Sequence, residues 1–161
     1  MKTRSRTTII MIALTAIMAF VSIPAFTQDK PADNMELVRE KLRADKKLLV
    51  AEGMKLTETE ARAFWPVYDS YQKELGKLFD RDIKLIQDYA KNYETMSDEV
   101  AKKLLDEYMA IEGEYLKLRQ SYLPKFRIVL SEKRVVRYYQ IENKVKAVME
   151  YDLARQIPLV K

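Results

Sequence analysis

The chain reads as all-α: a bent antiparallel hairpin of two long helices, flanked by an N-terminal and a C-terminal helix, with a second copy of the chain paired along an apolar face. Three observations predict this. Gly and Pro number only 3 and 5 among 161 residues, a scarcity that suits long helices better than tight turns. Apolar residues recur at spacings of three and four from Met35 to Val148, the repeat of a helical face. No stretch alternates apolar and polar residues as a half-buried strand does.

Residues 1–27 stand apart from the rest. Lys2, Arg4 and Arg6 precede the apolar run from Ile9 to Phe26, and Pro24, Ala25 and Thr27 end it. A basic start, an apolar middle and a small-residue end describe a secretory signal cleaved before Gln28. The competing reading is an uncleaved membrane anchor, since the run approaches the ~20 residues that a span requires. Cleavage would remove three of the 29 Lys and Arg and none of the 24 Asp and Glu, so 26 basic residues would face 24 acidic ones, a net charge of +2. A charge so small gives no bulk attraction to nucleic acid. The remaining chain divides into a linker, 28–33, a helical domain, 34–157, and a tail, 158–161.

The first helix of the domain carries Met35, Val38, Leu42 and Leu49 as its apolar stripe, and Gly53 is placed to close it as a C-terminal cap. The second begins at Thr57, where Thr57 and Glu60 make the pattern of a capping box and Leu56 can pack on Ala61. Its face is Phe64, Tyr68, Tyr71, Leu75, Leu78, Ile86 and Tyr89, and it runs to about Tyr93. Ser97 caps the third helix, with Asp98 and Glu99 complementing the dipole. Leu104, Tyr108, Ile111, Tyr115, Leu118 and Tyr122 follow at alternating spacings, a seam for packing on another helix. Ser131 caps the fourth, whose stripe is Val135, Tyr138, Ile141, Val145 and Val148, and Pro158 forbids its continuation.

Two prolines interrupt the long helices. Each removes a helical hydrogen bond and crowds the carbonyl four residues back, at about 3 kcal/mol. Pro66 and Pro124 lie equally far from a turn centred on Thr95, so an antiparallel hairpin sets them at one level, facing each other. Two helices bent at one level keep their seam, which predicts a concerted bend. The alternative is that each proline ends one helix and starts another. The hairpin is roughly 50 Å long. Ten Tyr and five Phe exceed what one hairpin can hide, and dimerisation along an apolar face covers the surplus.

The chemistry available is narrow. The sequence has no His and no Cys, which removes the usual nucleophile–base pairs and most transition-metal sites. Three glycines cannot build a phosphate loop. Carboxylates such as Glu58 and Asp98 sit at helical spacing from Arg62 and Lys102, the pattern of surface ion pairs. No catalytic, cofactor or metal site is expected, and the chain is read as a non-enzyme. Two basic clusters remain. One is Arg39, Lys41, Arg43, Lys46 and Lys47. The other runs from Lys125 to Lys146 and interleaves Arg127, Lys133, Arg134 and Arg137 with Tyr138 and Tyr139. Such a mixture can hold acidic or partly unfolded chains through charge and ring contacts. It is equally what a solvated helix face beside a core stripe looks like.

Two helix starts carry a leucine–hydroxyl signature: Leu56-Thr57-Glu58-Thr59-Glu60 and Leu130-Ser131-Glu132-Lys133-Arg134. With the signal-like start and the hairpin layout over 34–157, the chain resembles the Spy/CpxP family of periplasmic stress proteins and its metal-sensing relatives. The family motif is Leu-Thr-x-x-Gln. Here Glu60 and Arg134 stand where the family has Gln, and Ser131 stands for Thr. The resemblance implies a periplasmic, cradle-shaped homodimer that binds unfolded proteins without ATP, or that restrains a membrane-bound sensor. Metal-sensing members use His-rich segments, and this chain has no His.

Overall fold

A computed structural model describes residues 44–160, all in helices and short connections. The readings of residues 1–27, of the linker and of Met35, Val38, Arg39, Lys41, Leu42 and Arg43 lie outside the described residues. Helix α1 occupies 44–54. α2 spans Glu58–Asn92, a short 3₁₀ turn Tyr93–Thr95, α3 Asp98–Val129 and α4 Glu132–Gln156. There is no strand among the described residues.

α2 and α3, of 35 and 32 residues, form the antiparallel hairpin. α4 turns back at Leu130 and Ser131 and lies along it. Tyr138 meets Phe126 near the start of α4 with ring centres 4.6 Å apart, Lys146 reaches Glu112, and Tyr89 near the far end of α2 donates to Pro158 O at 2.7 Å. α1 runs antiparallel to α2 over its first half: Lys47 pairs with Asp69 at 2.7 Å. The described chain is thus an up-and-down set of helices in which α1 covers only the end where α3 turns into α4.

Local chemistry sets the helix starts. Glu60 N–H donates to Thr57 Oγ1 at 3.3 Å and Thr57 N–H donates to Glu60 Oε2 at 2.9 Å, the reciprocal bonds of a capping box. Val100 N–H donates to Ser97 Oγ at 3.3 Å. Ser131 differs: it occupies the N-cap position of α4, yet its side chain makes no cap bond. The start of α4 is fixed by Arg127 on Glu132 at 2.9 Å and by the burial of Leu130 and Val135 on either side.

Gly53 does not close α1. The helix continues through Met54, and the residue with positive φ is Lys55, at 46°. Gly53 serves a close approach instead: a Cβ there would stand 2.6 Å from Ile141 Cδ1. The apolar stripe of α1 also shifts by one residue. Leu49 is exposed, while Val50 and Met54 are buried.

Both prolines lie inside unbroken helices, so neither ends one. They share a level, because Phe64 and Phe126, each two residues from its proline, stack at 5.8 Å, and Ser70 bonds Tyr122 at 2.8 Å. They do not face each other, since both are exposed on the outer surfaces. The carbonyls that lose their helical donor, on Arg62 and Gln120, belong to exposed residues, where water can take the place of the missing bond.

The core sits beside this level. Phe64, Tyr68, Tyr71, Tyr122, Phe126 and Tyr138 form one aromatic cluster, closed by Val50, Met54, Leu130 and Val135. Fully buried side chains of this size each contribute about 1.5–3 kcal/mol, and the edge-on ring pairs such as Phe64–Tyr138 at 5.2 Å add about 0.5–1.5 kcal/mol. Farther along the hairpin the interior thins to Leu78 and Ile111, and from 79 to 110 no residue is buried. There the helices are joined by Arg81 to Glu107 and Glu114, and by Tyr115 donating to Asp82 at 2.6 Å.

Candidate functional site

The basic–aromatic run of α4 is split by the helix into separate surroundings. Tyr138 is fully buried in the core, where burial above all, and then the nearby Glu142 carboxylate, push its phenol well above the ordinary range. Its hydroxyl is unavailable to a partner. Tyr139 is half-buried, lies edge-on to Phe126 at 6.0 Å and donates to Arg119 O at 3.1 Å. Arg127 is exposed and paired with Glu132. These three do not converge.

Lys133, Arg134 and Arg137 do. With Met54, Lys55 and Gln140 they line an open cleft of about 630 Å³ between the end of α1 and the first turns of α4. Two of the three already hold structure. Arg134 donates to Met54 O and Lys55 O and pairs with Glu60 at 3.1 Å. Arg137 donates to Gly53 O at 2.6 Å. The last carbonyls of a helix lack intrahelical donors and carry its negative dipole end. Two guanidiniums from α4 therefore cap α1 and dock it. The bond from Thr57 N–H, and with it Arg134, holds the Glu60 carboxyl below the usual range. Lys55 and Lys133 remain as exposed cations without a side-chain partner among the described residues, so the cleft is strongly basic.

A second polar constellation lies inside the molecule. Glu142 is the one buried charged side chain among the described residues. Lys46 Nζ donates to its Oε2 at 2.8 Å and to Gln72 Oε1 at 3.0 Å, and Gln72 Nε2 donates to its Oε1 at 3.1 Å. The network ties α1, α2 and α4 together, with its unpaired bonding capacity satisfied from both sides. Every partner is engaged, so the arrangement positions helices and leaves no group free for chemistry. Glu142 follows Val135 and Tyr138 at helical spacing, and that spacing was the one signal in the sequence that a carboxylate stood at a core position. Lys55 had no such signal.

Among the described residues no three Asp or Glu side chains converge as metal ligands, and no helix is long and apolar enough to cross a membrane. The outer half of α4 is an uncovered surface. After Glu142 no residue of α4 is buried, and Val148, Met149, Tyr151 and Leu153 are all exposed. Arg155 lies over the Tyr151 ring at 5.6 Å. The described residues define an all-α protein with a basic cleft at the end of α1 and uncovered apolar side chains on α4. No family model, curated protein or solved structure matches the chain.

Proposed function

We propose that the chain is a non-catalytic periplasmic protein that holds unfolded or stress-damaged envelope proteins without ATP. One observation supports this reading above the others: the outer half of α4 presents Val148, Met149, Tyr151 and Leu153 uncovered beside Lys144 and Arg155. Apolar and cationic groups interleaved on one helix suit many weak contacts with non-native chains, which expose apolar side chains of no fixed sequence. The signal-like N-terminus motivates the compartment.

The test is the heat- or dilution-induced aggregation of several unrelated proteins, followed by light scattering. Wild-type protein suppresses it, and the combined Val148→Ser, Tyr151→Ser, Leu153→Ser variant suppresses it weakly while keeping its helical circular dichroism. Aggregation that is unchanged by wild type for every client overturns the reading. The basic cleft supports a second reading, a regulator that binds an acidic segment on the outer domain of a membrane sensor or anti-sigma factor. On that reading Lys55→Glu with Lys133→Glu abolishes retention of the sensor domain and leaves unrelated clients unaffected. Arg134 and Arg137 are unsuited to either test, because their loss undocks α1.

A further inference from the structure

Cover on α4 stops where the described part of α1 stops. α1 is described from residue 44, two residues before Lys46, which reaches Glu142 at 2.8 Å. After Glu142 no residue of α4 is buried, and Val148 and Leu153 are 63 and 38 % exposed. The ten residues that precede the described part, 34–43, carry Met35, Val38 and Leu42 at helical spacing. As a helix they reach about 15 Å, and Glu142 to Leu153 spans about 16 Å.

The contacts that α1 already makes set the level and the face of any continuation. α1 and α4 run antiparallel: Arg137 donates to Gly53 O, and Lys46 pairs with Glu142. Eleven residues complete three helical turns to within about 20°. Eleven residues backward on α1 and eleven forward on α4 therefore keep both level and face. From Gly53 and Arg137 that step leads to Leu42 and Val148. From Lys46 and Glu142 it leads to Met35 and Leu153. From Ile141, whose side chain stands against Gly53, it leads to the exposed Asp152, with Arg39 one turn from Leu42 as counter-charge. α2 carries a matching feature. Lys46 also donates to Gln72, and one turn beyond Gln72, level with residue 42, stands Gly76. Glycine is the poorest helix former after proline, and its missing side chain leaves room for another helix to pass.

We propose that the occupant of the outer half of α4 is this chain's own segment 34–43, which continues α1 as a helix and sets Leu42 against Val148, Met35 against Leu153 and Arg39 near Asp152. The docking stands without the client-holding reading. Its consequence rests on that reading: segment and client compete for one face, so a client is held only after the segment lifts away.

The experiment is amide hydrogen exchange on the protein as cells process it. In wild type the amides of residues 39–43 are expected to exchange about tenfold or more slowly than in a free chain. Val148→Asp with Leu153→Asp is expected to abolish that protection and leave the amides of Phe64 and Phe126 as they were. Unprotected amides in wild type, or protection that survives the double change, overturn the proposal. The absence of cysteine allows a second arm that adds no charge to the face. Leu42→Cys with Val148→Cys is expected to close a disulfide within one chain about tenfold faster than Lys41→Cys with Val148→Cys, because Lys41 lies about 100° round the helix from Leu42. Equal rates overturn the proposal, and so does a bond between chains, read by mass, which assigns the face to a second copy. Aggregation assays on the closed and the reduced Leu42–Val148 variant test the consequence. The closed form is expected to suppress aggregation less. If neither form suppresses it while the wild-type amides are protected, the client-holding reading falls and the docking stands.

Discussion

Replacing Glu142 with leucine measures how far a buried charge secures the junction of α1, α2 and α4. The carboxylate side chain is 6 % exposed and accepts from both Lys46 and Gln72. Removing one partner of a buried pair typically costs about 3–5 kcal/mol, because the other charge is stranded. Lys46 is 19 % exposed and keeps Gln72 Oε1 at 3.0 Å, so its ammonium retains one acceptor and can turn toward water. That places Glu142→Leu at the low end, about 3 kcal/mol. The double change Lys46→Met with Glu142→Leu removes both charges and fills the space with apolar volume, and should fall within about 1 kcal/mol of wild type. The pair therefore couples by roughly 2 kcal/mol or more, beyond the additivity of distant sites. Urea unfolding followed by circular dichroism reads this as shifted midpoints at unchanged slope. A neutral Glu142→Leu, or a double variant as unstable as the two single losses combined, would refute the reasoning.

Two further outcomes follow from particular contacts. Gly53→Ala should lower stability by about 1 kcal/mol, the helix gain of about 1 being outweighed by overpacking of about 1–3 against Ile141; in an Ile141→Val background, which lacks the struck Cδ1, the same change should raise the thermal midpoint. A loss in both backgrounds would show that Ile141 is not the obstacle. Burial lifts the Asp82 carboxyl above its ordinary range, and the hydrogen bond from Tyr115 opposes that rise. Tyr115→Phe should therefore raise it further, read by titrating the Asp82 carboxyl by NMR. Because the folded value exceeds the unfolded one, this group's contribution makes stability fall as pH rises from the unfolded to the folded pKa, and the variant should widen that window. An unchanged or lowered value would sink the assignment.

The features legible in the sequence were those encoded over one or two helical turns. Thr57 with Glu60, and Ser97 before two acids, specify helix starts because cap and partner lie within four residues. Phe64, Tyr68 and Tyr71 announce a buried face by spacing alone. The basic run of α4 misled for the same reason in reverse. Consecutive residues on a helix point about 100° apart, so Arg137, Tyr138 and Tyr139 look like one surface in writing and occupy three environments in space. The roles of Arg134, Arg137 and Gly53 depend on residues about 80 or more positions away, which no local pattern carries. Ser131 shows the limit of capping rules, for it holds the right position without making the bond.

The uneven interior implies two scales of opening. All the large aromatic burial lies at the end where α3 turns into α4, whereas from 79 to 110 the hairpin has no buried residue and relies on ion pairs and Tyr115 with Asp82. Solvent-exposed ion pairs weaken with salt, and apolar burial does not. Amide hydrogens of Leu85, Ile86 and Leu104 should then exchange through a sub-global opening that salt accelerates, while those of Phe64, Tyr71 and Phe126 exchange only when the whole chain unfolds. The hairpin is in this sense a firm root with a loosely sprung end, and the stiffness of that end is set by the ionic medium around it.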